Sequence, residues 1–341
     1  TNRTIDSATS CVTSRPPGPV KLAGDENGRP TMTPLKTLAL SALVLALAAC
    51  QTLPANDDVL TDEELEQVVP TPVRKKVPAA PVLPAANDNL NAVAWIQASI
   101  EYRLIAGQTY RSALYQLDRA LKTPDWDALV PDERANPAAG LAPAVIVDID
   151  ETVLDNSPYQ ARLVRDGLSY DETTWDAWVR EEKATPVPGA LEFAQAAKAR
   201  GVTVFYVTNR AAHLEEPTLK NLRAAGFPID TAGQFLGLGF FVDGCEQEGS
   251  EKGCRRQHVG RTHRVLMQFG DQIGDMVTIV ANNPAGREQA MAPYLGWVGE
   301  RWFVLPNPTY GSWEPALFNN AWELPEHERR QRKLDALDYA Q

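Results

Sequence analysis

Cysteine, histidine, basic charge and long apolar runs are all scarce in this chain, and each scarcity excludes something. Four cysteines in 341 residues are too few for a disulfide scaffold. The four histidines, His213, His258, His263 and His327, lack metal-ligand spacing and read as surface or structural groups. Lys and Arg number 33 against 44 Asp and Glu, a formal net charge of −11. A general grip on nucleic-acid polymers needs the opposite balance. A small anionic substrate stays open, because a bound metal inverts the local field. No internal repeat is visible. The 44% of hydrophobic residues suffices for one large domain or two smaller ones with a full core.

The apolar run Leu38–Ala49 is too short for an ordinary membrane span. It follows Lys36 and ends in small residues, the makeup of a secretory h-region. Leu47-Ala48-Ala49-Cys50 resembles a bacterial lipobox, in which Cys50 becomes the lipidated first residue. A lipoprotein signal peptide is therefore expected over residues 32–50, starting at Met32. Residues 1–31, with Cys11, read as an over-extended gene start. Residues 51–89 are rich in Pro, Ala, Asp and Glu and predict a disordered tether. These readings place a globular domain, residues 90–341, at the bacterial cell envelope, lipid-anchored to a membrane. Gln51 after the cysteine points to the outer membrane.

Within that domain the spacing of Trp95, Ser99, Tyr102, Ala106, Tyr110, Leu114 and Leu117 predicts one long helix from Leu90, stopped by Pro124. Residues 144–149 form a β-branched apolar run, expected as a strand buried on both faces. Further strands are expected at 202–207, 235–242, 264–269 and 302–305, and helices at 189–200 and from Glu215. Gly201 reads as a helix-ending residue. Strands alternating with helices imply an α/β fold with a parallel sheet and right-handed crossovers.

The first strand runs into Asp148 and Asp150. Side chains two apart on a strand share a face, so both acids project from its C-terminal end, where open α/β sheets bind ligands. Two carboxylates at contact distance repel by roughly 4 kcal/mol at an effective dielectric of about 20. A cation or a shared proton would offset that. Other strand ends supply Thr208, then Asp271 with Asp275, and Lys252 lies between these groups. The set comprises a carboxylate nucleophile, a second carboxylate for proton transfer, a hydroxyl and an ammonium for an anion, and oxygen ligands of the kind Mg²⁺ prefers. Phosphoryl transfer chiefly needs such positioning and charge neutralisation.

Asp148-x-Asp150-x-Thr152, Thr208, Lys252 and Gly270-Asp271-x-x-x-Asp275 resemble the four ordered motifs of the haloacid dehalogenase superfamily of phosphatases. Asp148 through Tyr159, Trp175-x-x-Trp178, Pro186–Ala190, Phe205–Arg210 and Pro306–Gly311 resemble its class C acid phosphatases, the outer-membrane lipoprotein 5′-nucleotidases. The similarity covers roughly residues 90–320. It implies a three-layer Rossmann-like sheet with a small, mostly helical cap built from 90–123, 155–185 and the C-terminal segment. It implies that Asp148 forms an aspartyl-phosphate and that Asp150 protonates the leaving oxygen and then activates water. Mg²⁺ would be held by Asp148, the Asp150 carbonyl and Asp271. Thr208, Asn209 and Lys252 would bind phosphate, with Arg210 helping to shape the pocket. Asp275 would orient Lys252 or a metal-bound water. Trp175 and Tyr310 would flank the leaving group, while Trp178 reads as packing.

The implied substrates are small phosphomonoesters: nucleoside 5′-monophosphates, including nicotinamide mononucleotide, and aryl phosphates. The family implies an acidic pH optimum. The chain departs from the family's pattern at Gly253 and Cys254, which stand where small hydroxyl residues are usual, and at Gln272, Ile273 and Met276 in the metal loop. Cys245 and Cys254 flank a loop beside Lys252, and in an oxidising compartment they are a candidate disulfide. Two rival readings remain, a phosphatase of other small-molecule specificity and a lipoprotein that captures haem or another ligand without catalysis.

Overall fold

A computed structural model of the chain describes residues 86–340. The expected over-extended start, the expected signal peptide with Cys50, and the expected tether up to residue 85 lie outside them. Among the described residues no helix is long and apolar enough to cross a membrane.

The chain runs α1 (Leu90–Ala98), α2 (Ile100–Lys122), β1 (Ala142–Val147), β2 (Leu154–Asp155), α3 (Ser157–Asp166), α4 (Glu172–Arg180), β3 (Thr185–Pro186), α5 (Ala190–Ala199), β4 (Thr203–Ala211), α6 (Glu215–Ala224), β5 (Phe235–Leu238), α7 (Gly253–Thr262), β6 (His263–Gly270) and β7 (Trp302–Val304). Shorter helices lie at Pro284–Met291 and Trp313–Ala316, and a C-terminal one at Glu326–Asp335. Five strands form one parallel sheet in the order β5-β4-β1-β6-β7. The chain fills one side of β1 and then crosses to the other. The switch point lies between β1 and β6, so a ligand crevice is expected at their carboxyl ends.

Alternation along β1 creates the two cores. Val145 and Val147 face α2 and α5, whereas Ala144 and Ile146 face Val259 of α7 and the 128–130 segment. On the first face Tyr110, Phe193, Phe269 and Phe303 stack in sequence, with centroids 4.5–5.8 Å apart. The Tyr110 hydroxyl donates to the carbonyl of Thr152 at 2.7 Å, fixing the loop after β1 to the core helix. Gly189 begins α5 at φ +89°, and a Cβ there would lie 3.0 Å from the Tyr110 Cβ, so glycine lets the two helices approach.

Three expectations are corrected. The helix from Leu90 is two helices, broken at Ser99, whose ψ of 142° is extended and whose Oγ accepts from the Tyr102 amide at 3.1 Å. Serine favours such a cap over a helix interior. The first piece packs on α3, and α2 lies against the sheet beside α5. The strand expected over 235–242 ends at Leu238, because Gly239 turns the chain at φ +93°. Conversely, β4 continues past Thr208 to Ala211.

Candidate active site

β1 delivers Asp148 to the carboxyl end of the sheet, and the Asp148 amide continues the ladder by donating to Phe269 O at 2.9 Å. The chain then folds back. The amides of Val153 and Leu154 both donate to Ile149 O, and the Glu151 amide donates to Leu154 O. Glu151 sits in the turn at φ +55°, a conformation that costs a non-glycine residue on the order of 1 kcal/mol or more.

Lys252, immediately before α7, is buried between two carboxylates. Its Nζ is 2.5 Å from Asp148 Oδ1 and 2.7 Å from Asp275 Oδ1. Asp275 Oδ2 accepts from the Gln272 amide at 2.9 Å. This turn packs onto Gly270 so closely that a Cβ there would fall 2.0 Å from Asp275 Oδ2. Asp271 is half-buried. Its Oδ2 accepts from Gln272 Nε2 and Asn307 Nδ2, each at 2.8 Å. Carboxylate oxygens of Asp148, Asp271 and Asp275 all lie within 4.8 Å of one another.

This crowding shows in the proton affinities. Burial pushes the Asp148 carboxyl well above its ordinary value; Lys252 opposes, and Asp275, Asp271 and Asp150 add to the rise. Burial, then the Asp275 charge, pushes Asp271 up to about 7. Burial works against the Lys252 charge, but Asp148 and Asp275 outweigh it and hold the ammonium above the usual lysine value. A cluster of hard oxygen donors that resist joint ionisation fits a divalent cation.

Register places Thr208 beside this group. Val147 pairs with Tyr206, so Thr208 extends two residues further along the neighbouring strand. Its Oγ1 accepts from the Arg210 amide at 3.1 Å, leaving the hydroxyl proton free to donate. Asn209 is exposed, and its side chain accepts from Arg255 Nη2 at 2.8 Å. Arg255 also donates to the carbonyls of Thr208, Ser250 and Glu251, binding the Thr208 loop to the Lys252 loop. Arg256 forks onto Glu133 and reaches Gly274 O at 2.8 Å, which ties α7 to the Asp275 turn.

Asp150 lies apart from the three-carboxylate cluster. Its Oδ1 accepts from Arg210 and from Asn156 Nδ2. Trp175 is half-buried, edge-on to Tyr159 at 5.2 Å, with the Arg210 guanidinium 5.5 Å from its ring. Trp178 is buried and donates to Asn156 Oδ1 at 2.8 Å. The Tyr310 hydroxyl donates to the Glu151 carboxylate. Cys245 and Cys254 are joined in a disulfide, with Cα atoms 5.7 Å apart.

The sequence departures have local reasons. Cys254 is committed to the disulfide, and a Cβ at Gly253 would lie 2.9 Å from Thr278 Oγ1. Gln272 bridges Asp271 to Tyr310 O, and Gly311 makes room for it. Sequence reasoning missed Glu151, Asn156, Arg255 and Asn307 as parts of the site. Asn156 and Asn307 lay inside quoted motifs, yet nothing in their spacing said which carboxylate they serve.

The fold and site together define a phosphoryl-transfer enzyme with a carboxylate-rich centre at the sheet switch point. Residues 77–313 match the family model described as HAD superfamily, subfamily IIIB (acid phosphatase). The structure of the class C acid phosphatase from Bacillus anthracis is similar at a TM-score of 0.63 and 30% identity, covering 74% of this chain and 98% of that one. The tungstate-bound crystal structure of the class C acid phosphatase from Bacillus anthracis matches at 0.63 and 31%, with the same coverage. The chain belongs to the subfamily IIIB acid phosphatases of the haloacid dehalogenase superfamily and is a phosphomonoesterase.

Proposed function

We propose that this phosphomonoesterase is Mg²⁺-dependent and works through an aspartyl-phosphate on Asp148, with nucleoside 5′-monophosphates and aryl phosphates as its substrates. The observation that carries this reading is the buried Lys252 ammonium held between Asp148 and Asp275, with Asp271 within reach of both acids. Asp148 Oδ1 and both Asp275 oxygens already accept hydrogen bonds. Asp148 Oδ2, whose one partner is the Thr152 hydroxyl at a long 3.5 Å, and Asp271 Oδ1 are the oxygens that would hold the metal, together with the Asp150 carbonyl. Bound there, the ion supplies charge neutralisation to the attacking carboxylate and the phosphoryl oxygens.

The protein's own groups do the rest. Lys252 and the Thr208 hydroxyl bind phosphoryl oxygens, and Asn209 borders them. Asp148 attacks phosphorus, Asp150 protonates the departing oxygen, and Asp150 then takes a proton from the water that hydrolyses the intermediate. Asp275 keeps Lys252 aimed at Asp148. Trp175 and Tyr310 offer aromatic faces to the leaving group. The similar Bacillus anthracis protein binds tungstate, an oxyanion of the shape this pocket is expected to accept.

Hydrolysis of p-nitrophenyl phosphate with and without EDTA tests metal dependence, and AMP against sugar phosphates tests the leaving group. Asp148→Asn should abolish turnover in a folded protein; retained activity removes the assigned nucleophile. The chain is further proposed to be lipid-anchored at Cys50 in the bacterial outer membrane. Fatty-acid labelling lost in Cys50→Ala is the expected result, and undiminished labelling overturns it.

A further inference from the structure

Arg210 is 2% exposed, and every nitrogen of its guanidinium has a partner at the Asp150 side of the site. Nε and Nη2 both donate to Asp150 Oδ1, at 3.0 and 2.8 Å. Nη1 is braced by Thr218 Oγ1 of α6 at 3.1 Å, and Nη2 also reaches Asn156 Oδ1 at 3.3 Å. Asn156, itself fully buried, adds a third donor to the same Asp150 oxygen at 2.8 Å. Among the described residues Oδ2 of Asp150 accepts none. The face of Trp175 lies 5.5 Å from the same guanidinium.

We propose that Arg210 is a positioning residue for the proton-transfer step. It occupies Oδ1 so that Oδ2 alone carries the proton, and it locks that carrier to the Trp175 wall against which the leaving group packs. The proposal rests on the acid–base role assigned to Asp150 above. As the phosphorus–oxygen bond breaks, its electron pair goes to the leaving oxygen. The Oδ2 proton passes to that oxygen while phosphorus bonds to Asp148. Asp150 is left as a carboxylate whose Oδ1 stays held by the Arg210 fork. A lysine supplies one point charge in place of a planar fork and cannot brace Thr218 and Asp150 together.

The test compares kcat/KM for wild type, Arg210→Gln, Arg210→Lys and Asp150→Asn on monophosphates whose leaving groups run from p-nitrophenol through phenol to a simple alkyl alcohol. kcat/KM reports only steps through formation of the phosphoenzyme, so the later water-activation step does not blur it. Nitrophenolate leaves without help, and an alkoxide does not. Arg210→Gln is expected to lose little on p-nitrophenyl phosphate and roughly 10²-fold on the alkyl ester, with Arg210→Lys between. Asp150→Asn should show the same gradient, steeper. A uniform loss in Arg210→Gln, or none, with a graded Asp150→Asn overturns the Arg210 assignment alone. A flat Asp150→Asn series removes the acid role itself. Urea unfolding checks each variant first, and if Arg210→Gln does not fold, Arg210→Lys is read by the same criterion.

Discussion

Replacing Asp271 with asparagine is expected to abolish turnover and at the same time to stabilise the metal-free protein. Burial and the Asp275 charge raise the Asp271 carboxyl from its ordinary 3.8 to about 7. A folded-state value above the unfolded one gives a contribution that is fully present below about pH 4. It is lost as the pH rises from about 4 through 7, because the unfolded chain releases this proton while the native carboxyl still holds it. At 1.36 kcal/mol per pH unit, the full loss approaches about 4 kcal/mol, an upper bound once the site relaxes. The substituted amide cannot ionise, and its carbonyl can still accept one of the two bonds now made by Gln272 and Asn307. Urea titration followed by tryptophan fluorescence, in EDTA from pH 4 to 8, measures the difference. Wild type minus variant should be near zero at the acidic end and should turn against wild type by a few kcal/mol above pH 7. Mg²⁺ should restore wild type and leave the variant unchanged. A variant less stable than wild type at pH 7.5, or a difference that does not change with pH, refutes the argument that Asp271 is held in charge conflict.

Reducing the Cys245–Cys254 bridge, or replacing both residues with serine, should cost about 2–3 kcal/mol of stability for a loop of this size. It should also lower kcat, because Lys252 lies inside the closed loop; unchanged kcat would separate the bridge from the site. Asn307→Ala removes a hydrogen bond that fixes Asp271 Oδ2 and should weaken Mg²⁺ affinity about 10–100-fold with little change in p-nitrophenyl phosphate KM at saturating metal. Calorimetric titration with the metal alone reads the first effect.

Most of the sheet was legible because each strand carries its own signal. The β-branched run at 144–147 and the apolar core Val265-Leu266-Met267 of the 264–269 strand are buried on both faces, so they read as short continuous hydrophobic segments. The break at Ser99 was not legible, because Trp95, Ser99 and Tyr102 keep helical spacing across it and only the cap geometry reveals the interruption. The end of β5 at Leu238 was hidden for a similar reason: residues 240–242 are apolar, but they follow a glycine with positive φ. The carboxylates stood out through their strand-end contexts. The residues that aim them did not. Asn156 and Asn307 reach Asp150 and Asp271 across 6 and 36 positions, and Arg210, expected at the pocket, grips Asp150 across 60 positions, a pairing that no local pattern encodes.

The charge arrangement explains why Asp271 is the pivot of this site. Lys252 is shared by Asp148 and Asp275, and Arg210 is committed to Asp150. Among the described residues Asp271 has no cationic side chain in salt-bridge contact; its hydrogen-bond partners are the neutral amides of Gln272 and Asn307. Neutral donors orient a carboxylate without satisfying its charge, so its second oxygen stays basic and pointed. An additional lysine there would compensate the charge permanently and compete with a metal. A half-buried acid left in deficit instead makes cation binding and ionisation one linked event. The same deficit that destabilises the metal-free fold at neutral pH therefore supplies the affinity, and replacing Asp271 by a neutral isostere should remove both together.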